Sequence, residues 1–333
     1  MPQTLTRAPA RATAEAFGKV SNLEEIYALL ATLDIENGWA KREPSMWPRP
    51  RQNFVPAHWS YGPAKAALEA AGRYINTELA ERRNLILANP IPGNTYATVR
   101  TLVAAYQMVK AGETARSHRH TANALRLVLD TAPGTYTVVD GRKIPMVRGD
   151  VLLTPNWCWH AHANESPADA YWMDILDVPT VHLLNPMFFE HHEEGLEPVT
   201  GTDEQGAFRY AFADSVVRLE AATDIAPGRR EIALLNPQGG PAMATVGLSV
   251  TRLEPGVKLV QEPSTASAVM AVIEGGGTAE IDGKTITWTR GDAIACPAGL
   301  AQTVTAQSRC YLLHATDEPL MRALGWLRPI PAV

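Results

Sequence analysis

One stretch of the chain occurs twice. VDGRKIPMVRGDVLLTP, beginning at Val139, is matched by IDGKTITWTRGDAIACP, beginning at Ile281. Asp140-Gly141, Arg148-Gly149-Asp150 and Pro155 return as Asp282-Gly283, Arg290-Gly291-Asp292 and Pro297, all at one constant displacement. A repeat of this kind restricts the chain to folds built from two copies of one supersecondary unit. The apolar runs around it are short and closely spaced, as in TLVAAYQMV, ALRLVLD, TYTVVDG and GDVLLTP. Gly, Pro and Asp separate them, which is the pattern of an all-β barrel. Asp140-Gly141 is a hairpin signal. Gly275-Gly276-Gly277 also reads as a hairpin turn, because no Lys-Ser/Thr follows to make it a phosphate loop.

The copies differ in their histidines. His118 and His120 sit one residue apart, so on an extended strand both imidazoles face the same side. His160 follows Pro155 and can close a metal site from an antiparallel neighbour. Carried across the repeat, His160 becomes Gln302. Counted from Gly256 as His118 and His120 are counted from Gly112, the other two positions are Glu262 and Ser264. The expectation is one metal site per chain, in the first copy.

Gly112, five residues and His118-x-His120 resemble the first cupin motif, and Gly149, five residues, Pro155, His160 and Asn164 resemble the second. Trp157 replaces the glycine usual two after that proline, and the glutamate usual after the histidine pair is missing. Within the cupins, HRHT-x-x-ALR and TP-x-W-x-WH-x-H are most similar to gentisate 1,2-dioxygenase and its salicylate-cleaving relatives, as are PAHWSY and ERRNLILANP near the N-terminus. The resemblance implies an all-β bicupin: two antiparallel β-barrels of jelly-roll type with an N-terminal helical arm. It divides the chain into the arm (1–92), a catalytic barrel (93–185), a connection (186–240) and a second barrel without metal ligands (241–333). It also implies Fe(II), one per chain, with a small aromatic acid and O2 as reactants. A homotetramer is implied as well, its arms packing across neighbouring subunits.

Spacing alone does not choose among Fe, Zn, Cu and Ni, all of which suit imidazole; the resemblance implies Fe(II). Three neutral imidazoles leave up to three open positions and keep the whole metal charge, which favours an anionic chelating substrate. A 2-hydroxybenzoate fits, through its carboxylate and phenolate oxygens. Counting by twos from His120 reaches Ala122, Ala124 and Arg126 on the inward face. A buried arginine needs an anion, either a substrate carboxylate or a protein acid. His162 shares the parity of His160 and can bond the substrate phenolate, with Asp174 as the group that orients it. The resemblance assigns substrate contacts to Gln107, Arg126, His162 and Asp174, and to one of Arg82 and Arg83, of which Arg82 is preferred. Ala122 stands where the family commonly has Gln. Loss of that amide opens space, so the expected substrate is gentisate or a salicylate with another 5-substituent such as nitro or halogen. The alternatives are a dedicated 5-nitrosalicylate or 1-hydroxy-2-naphthoate dioxygenase, and a non-catalytic ligand-binding bicupin.

Composition narrows the remaining classes. Of 333 residues 46% are hydrophobic, enough for a sizeable core, and the formal net charge is -5. There is no basic stripe for nucleic acid, and no apolar run of the roughly 18 residues a membrane span needs. The first residues lack the apolar core of a signal peptide. Three sparse cysteines, Cys158, Cys296 and Cys310, fit a reducing cytoplasm better than a disulfide framework. Cys158 has the parity of His160, and is read as a small apolar residue. Trp157 and Trp159 have the opposite parity and belong on the barrel exterior. His191-His192-Glu193-Glu194 reads as a solvated connection. Helices are expected after Asn22, from Pro63, and around FADSVVRLEAA.

Overall fold

The computed structural model describes residues 11–40, 45–77, 82–203, 206 and 208–331. The chain divides into two compact units, Met1–Arg51 and Gln52–Val333. In the first, helix Leu23–Ala31 is capped by Asn22, whose side chain accepts the Glu25 N–H at 2.9 Å. Glu25 in turn accepts the Ser21 N–H at 2.8 Å. These bonds satisfy N–H groups that a helix start leaves without partners. No helix among the described residues is long and apolar enough to cross a membrane.

The second unit is two jelly rolls of two sheets each. In the first, strands Arg209–Tyr210, Val151–Thr154, Ala124–Asp130, Ala170–Leu176, Val103–Val109 and Arg83–Ile86 form one sheet. Phe189–His191, Thr114–His120, His160–Asn164, Thr135–Val139, Arg142–Pro145 and Gly201–Thr202 form the facing sheet. The second jelly roll repeats this plan, with a six-stranded sheet facing the four strands Lys258–Gln261, Gln302–Ala306, Gly276–Ile281 and Lys284–Thr289. Among the described residues all pairings are antiparallel except the short one between Gly201–Thr202 and Arg142–Pro145.

Strand Ala124–Asp130 is buried on both faces, as a strand between two cores must be. Leu125, Leu127 and Leu129 join Val269, Ala271, Leu313 and Ala315 in one cluster, so the two six-stranded sheets pack back to back. Val128 joins Val109, Ile144, Leu152 and Trp172 inside the first jelly roll. The all-β, two-barrel reading of the repeat therefore holds. The Asp-Gly turns behave as their residue types require: Asp140 and Gly141 have φ of 46° and 74°, Asp282 and Gly283 of 50° and 71°. Two successive positive φ values define a type I′ hairpin. Gly275 instead carries the chain from one sheet of the second jelly roll to the other, so that glycine run is a corner and not a hairpin.

The duplication extends further than the matched sequence. Ala57–Trp59 is an edge strand on the second jelly roll and Arg209–Tyr210 an edge strand on the first. Each leads into a helix, Tyr61–Ala71 or Phe212–Ala221. Asp292 Oδ1 accepts the Tyr61 N–H at 2.9 Å, and Asp150 Oδ1 accepts the Phe212 N–H at 2.9 Å. Residues 57–86, within the stretch read as an arm, thus give a strand to each jelly roll. The glycines before these aspartates let an aromatic ring rest on the backbone. A Cβ on Gly291, at φ +86°, would lie 2.5 Å from Tyr61 Cδ1. Gly291→Ala is expected to cost about 2–4 kcal/mol, from left-handed strain plus overpacking. Urea unfolding checks this, and an unchanged midpoint would show that Tyr61 yields freely.

Two further aspartates tie the halves together reciprocally. Asp177 accepts from Asn123 and from Thr245 Oγ1; Asp317 accepts from Ser267 N at 2.8 Å and from Thr101 Oγ1 at 2.5 Å. Burial pushes the Asp317 carboxyl up to about 6. A folded-state pKa above the unfolded value favours folding most below about pH 4, and that contribution is lost as pH rises to about 6. Asp317→Asn keeps a donor and an acceptor without the ionisation. Relative to wild type it should gain roughly 2–3 kcal/mol between pH 4 and 7. Parallel urea curves of the two proteins at both pH values would reveal a gap that does not widen, if the carboxyl ionises normally.

Candidate metal centre

His118 and His120 lie at the end of strand Thr114–His120, and His160 opens strand His160–Asn164. These strands pair directly, with His118 opposite His160. The register shifts by one residue between Ala115 and His118, a bulge that re-aims the end of the strand. One ligand atom from each of His118, His120 and His160 lies within 4.8 Å of the others. Among the described residues this is the only such group of histidines, cysteines and acids.

Each ring is held by the backbone. Nδ1 of His118 is 3.2 Å from Arg116 O, that of His120 is 2.8 Å from Ala122 O, and that of His160 is 3.1 Å from Cys158 O. A carbonyl only accepts, so each Nδ1 carries the proton and each Nε2 keeps its lone pair. Burial lowers the His118 pKa to about 3, helped by the Arg82 charge, and that of His120 to about 4. Burial holds His160 well below the ordinary range too. The imidazoles are therefore neutral at physiological pH, as metal ligands must be. His160 Nε2 is buried with no hydrogen-bond partner among the described residues. A three-imidazole donor set with an orphaned buried lone pair fits a divalent transition metal.

The facing sheet supplies the rest of the cavity. Arg126 is fully buried on strand Ala124–Asp130, where its Nη1 donates to Thr154 Oγ1. It reaches the cavity from the opposite sheet. The chain turns at residues 121–123, so a continuous strand count from His120 does not apply. Asp174 lies opposite Arg126 in the register, with Oδ1 3.4 Å from Arg126 Nε. Neither of those two atoms has a hydrogen-bond partner among the described residues. Burial lowers the guanidinium pKa to about 10 and raises that of the Asp174 carboxyl. Both shifts favour neutral forms, so burial outweighs the attraction of an imperfectly formed pair.

This corrects the role expected for Asp174, which meets Arg126 and does not hold His162. His162 is buried with both ring nitrogens lacking partners among the described residues. Its ring lies 6.0 Å from that of His160 and 5.2 Å from that of Trp172. Burial, then Arg126, keeps it neutral. Arg82 Nε donates to Gln107 Oε1 at 3.2 Å, and the Arg82 charge acts on His118, His120 and His162. Arg83, also considered for substrate, is turned away: it bonds Glu113 and donates to Ile75 O at 2.8 Å through Nε. Adjacent strand residues face opposite sides, which decides between the two arginines. Ala122 is buried in the turn, where its carbonyl fixes His120.

Trp172, Thr154 and Phe189 also belong here, and spacing along the sequence does not single them out. Trp172 shares the parity of Asp174, and its buried Nε1 has no partner among the described residues. Phe189 stacks on His118 at 5.3 Å, reached through a connection with no recognisable pattern. Trp157 and Trp159 lie outside, with the Arg119 guanidinium 4.5 Å from each ring. Trp157 has φ of 64°, the left-handed conformation that explains why glycine suits this place. The Cys158 thiol faces Asp140 and is pushed up to about 12, chiefly by burial. In the second jelly roll Gln261, and not Glu262, occupies the place of His118, because strand Lys258–Gln261 lacks the bulge.

The model described as "Cupin domain" matches residues 105–176. The chain is 32% identical to 5-aminosalicylate 1,2-dioxygenase of Comamonas sp over 92% of its own length and 90% of the relative's. To gentisate 1,2 dioxygenase 1 of Aquipseudomonas alcaligenes it is 31% identical, over 92% and 95%. It superposes on salicylate 1,2-dioxygenase from Pseudaminobacter salicylatoxidans with a TM-score of 0.83 at 28% identity, covering 93% of this chain and 98% of that one. Identity at this level over almost the whole of both chains places the protein, a ring-cleaving dioxygenase, in the gentisate and salicylate 1,2-dioxygenase family.

Proposed function

We propose that the chain is an iron(II)-dependent dioxygenase opening the ring of a 2-hydroxybenzoate, either gentisate or a 5-substituted salicylate. Cleavage falls between the carbons bearing the carboxyl and hydroxyl groups, and both oxygen atoms enter the product. The observation that carries this reading is a three-imidazole centre that no carboxylate joins among the described residues, faced by the buried and incompletely satisfied Arg126. Held by His118, His120 and His160, iron(II) would supply the binding of substrate oxygens and the activation of O2. Arg126 orients the substrate carboxylate, since its Nε, ion-paired with Asp174 at 3.4 Å but in no hydrogen bond among the described residues, can donate a charge-assisted bond. Arg82, steadied by Gln107, adds positive potential on the same side. His162, neutral and without hydrogen-bond partners among the described residues, can accept a hydrogen bond from the phenol at one nitrogen and donate from the other. The buried walls exclude water, which strengthens each of these interactions. The functional unit is a homotetramer.

Metal analysis combined with oxygen uptake across a panel of salicylates tests the proposal. Uptake limited to compounds lacking the adjacent carboxyl and hydroxyl pair would sink it. The choice within the panel is expected to involve Ala122. Ala122→Gln adds one donor and one acceptor and should move the kcat/KM ratio of gentisate to 5-nitrosalicylate about tenfold towards gentisate, the worth of one neutral hydrogen bond. A ratio that stays put would remove Ala122 from specificity.

A further inference from the structure

We propose that the mouth of the second jelly roll binds a small organic ammonium ion. This half keeps the architecture of the metal-bearing half and has lost its imidazoles. Gln261 faces Gln302 as His118 faces His160, and His314 faces Met270 as Asp174 faces Arg126. Below them the interior is closed by Met270, Val272, Trp288, Ile294, Val304 and Leu312. Above them a cavity of about 240 Å³ remains, lined by Gln261, Glu262, Ser264, Gln302, His314 and Glu318.

Gln302 is the informative residue. Its side chain is buried, 6% exposed, and its Oε1 has no hydrogen-bond partner among the described residues. The carbonyl is thus a desolvated acceptor on the cavity wall, and such a group is costly unless a donor meets it. The other groups favour the same sign of ligand. Gln261 Nε2 is 3.3 Å from His314 Nε2. An amide nitrogen only donates, so that imidazole nitrogen accepts and His314 brings no positive charge. Glu318 is paired with Arg322, whereas Glu262 on the rim has no ion pair among the described residues. Among the described residues the one arginine lining the neighbouring chamber is therefore committed, so an anion would meet the unpaired Glu262 charge and the Gln302 carbonyl with no cation to offset them.

That second chamber, of about 480 Å³, shares Gln261, His314, Thr316 and Glu318 with the first. Leu234, Leu235, Leu248 and Pro319 give it an apolar wall. The shape suits a charged head with a short hydrocarbon body. A primary ammonium offers three donors, for Gln302 Oε1, Glu262 and the Ser264 hydroxyl.

Titration calorimetry of the iron-loaded full chain with n-butylammonium chloride tests this, with sodium butyrate as the isosteric anion. Saturable binding of the amine at one per chain is expected, with butyrate at least about tenfold weaker. Gln302→Leu and Glu262→Gln should each weaken the amine about tenfold and leave ring cleavage in its absence unchanged. His118→Ala should leave amine binding intact, which separates this site from the metal centre. If Gln302→Leu fails to fold, the exposed Glu262→Gln decides. The proposal is overturned by absence of saturable heat, by equal binding of butyrate, by affinity that survives both substitutions, or by affinity lost with His118→Ala.

Discussion

His160→Ala is expected to strip the chain of metal and leave no measurable ring cleavage. His160 is the most deeply buried of the three ligands and the one that comes from a different strand. Its removal leaves His118 and His120 as a two-point site. Structural zinc sites of four ligands bind with about 10–16 kcal/mol, so one ligand is worth roughly 3 kcal/mol, at least about a hundredfold in affinity. The fold should persist, because the second jelly roll and the core between the halves do not touch the site. Elemental analysis should give about one metal per wild-type chain. Gln261 and Gln302 stand where the second half would need imidazoles, and a neutral amide is a poor substitute for one. Near two equivalents in the wild type, or full occupancy in His160→Ala, would refute the single centre.

Arg126→Met is expected to lower kcat/KM by about ten- to a hundredfold through loss of a charge-assisted bond, while metal content stays near normal. A second effect comes from Asp174. Removing one member of a buried pair leaves the other uncompensated, at a cost of about 3–5 kcal/mol. The single variant should therefore also be markedly less stable. Arg126→Met with Asp174→Leu replaces the pair by apolar groups, which is often neutral for stability. It should recover the denaturation midpoint and keep the kinetic defect. Recovery of both together would make Arg126 a structural residue with no hold on substrate.

The cluster of His118, His120 and His160 was legible because its geometry is local. Two histidines at strand spacing need only an extended backbone, and the third needs only the antiparallel neighbour that the turn residues imply. The two-half architecture was legible because Asp-Gly and Gly-Asp turns recur where backbone conformation restricts the residue type. Tertiary structure decided what depends on contacts between separate elements. Arg82 was separated from Arg83 by the strand that Arg83 opens, and by Glu113 waiting on the outer side. Asp174 was given to Arg126 by cross-strand register, which a parity count along one strand does not contain. Gln261 took the place expected for Glu262 because one bulge shifts the count by a residue, and a bulge leaves no mark in the spacing of motifs. The exchange of edge strands between the halves, through Ala57–Trp59 and Arg209–Tyr210, also escaped the sequence. Backbone pairing fixes a strand's partner but not its side chains, so the two copies diverged in sequence while Asp150 and Asp292 kept the same bond.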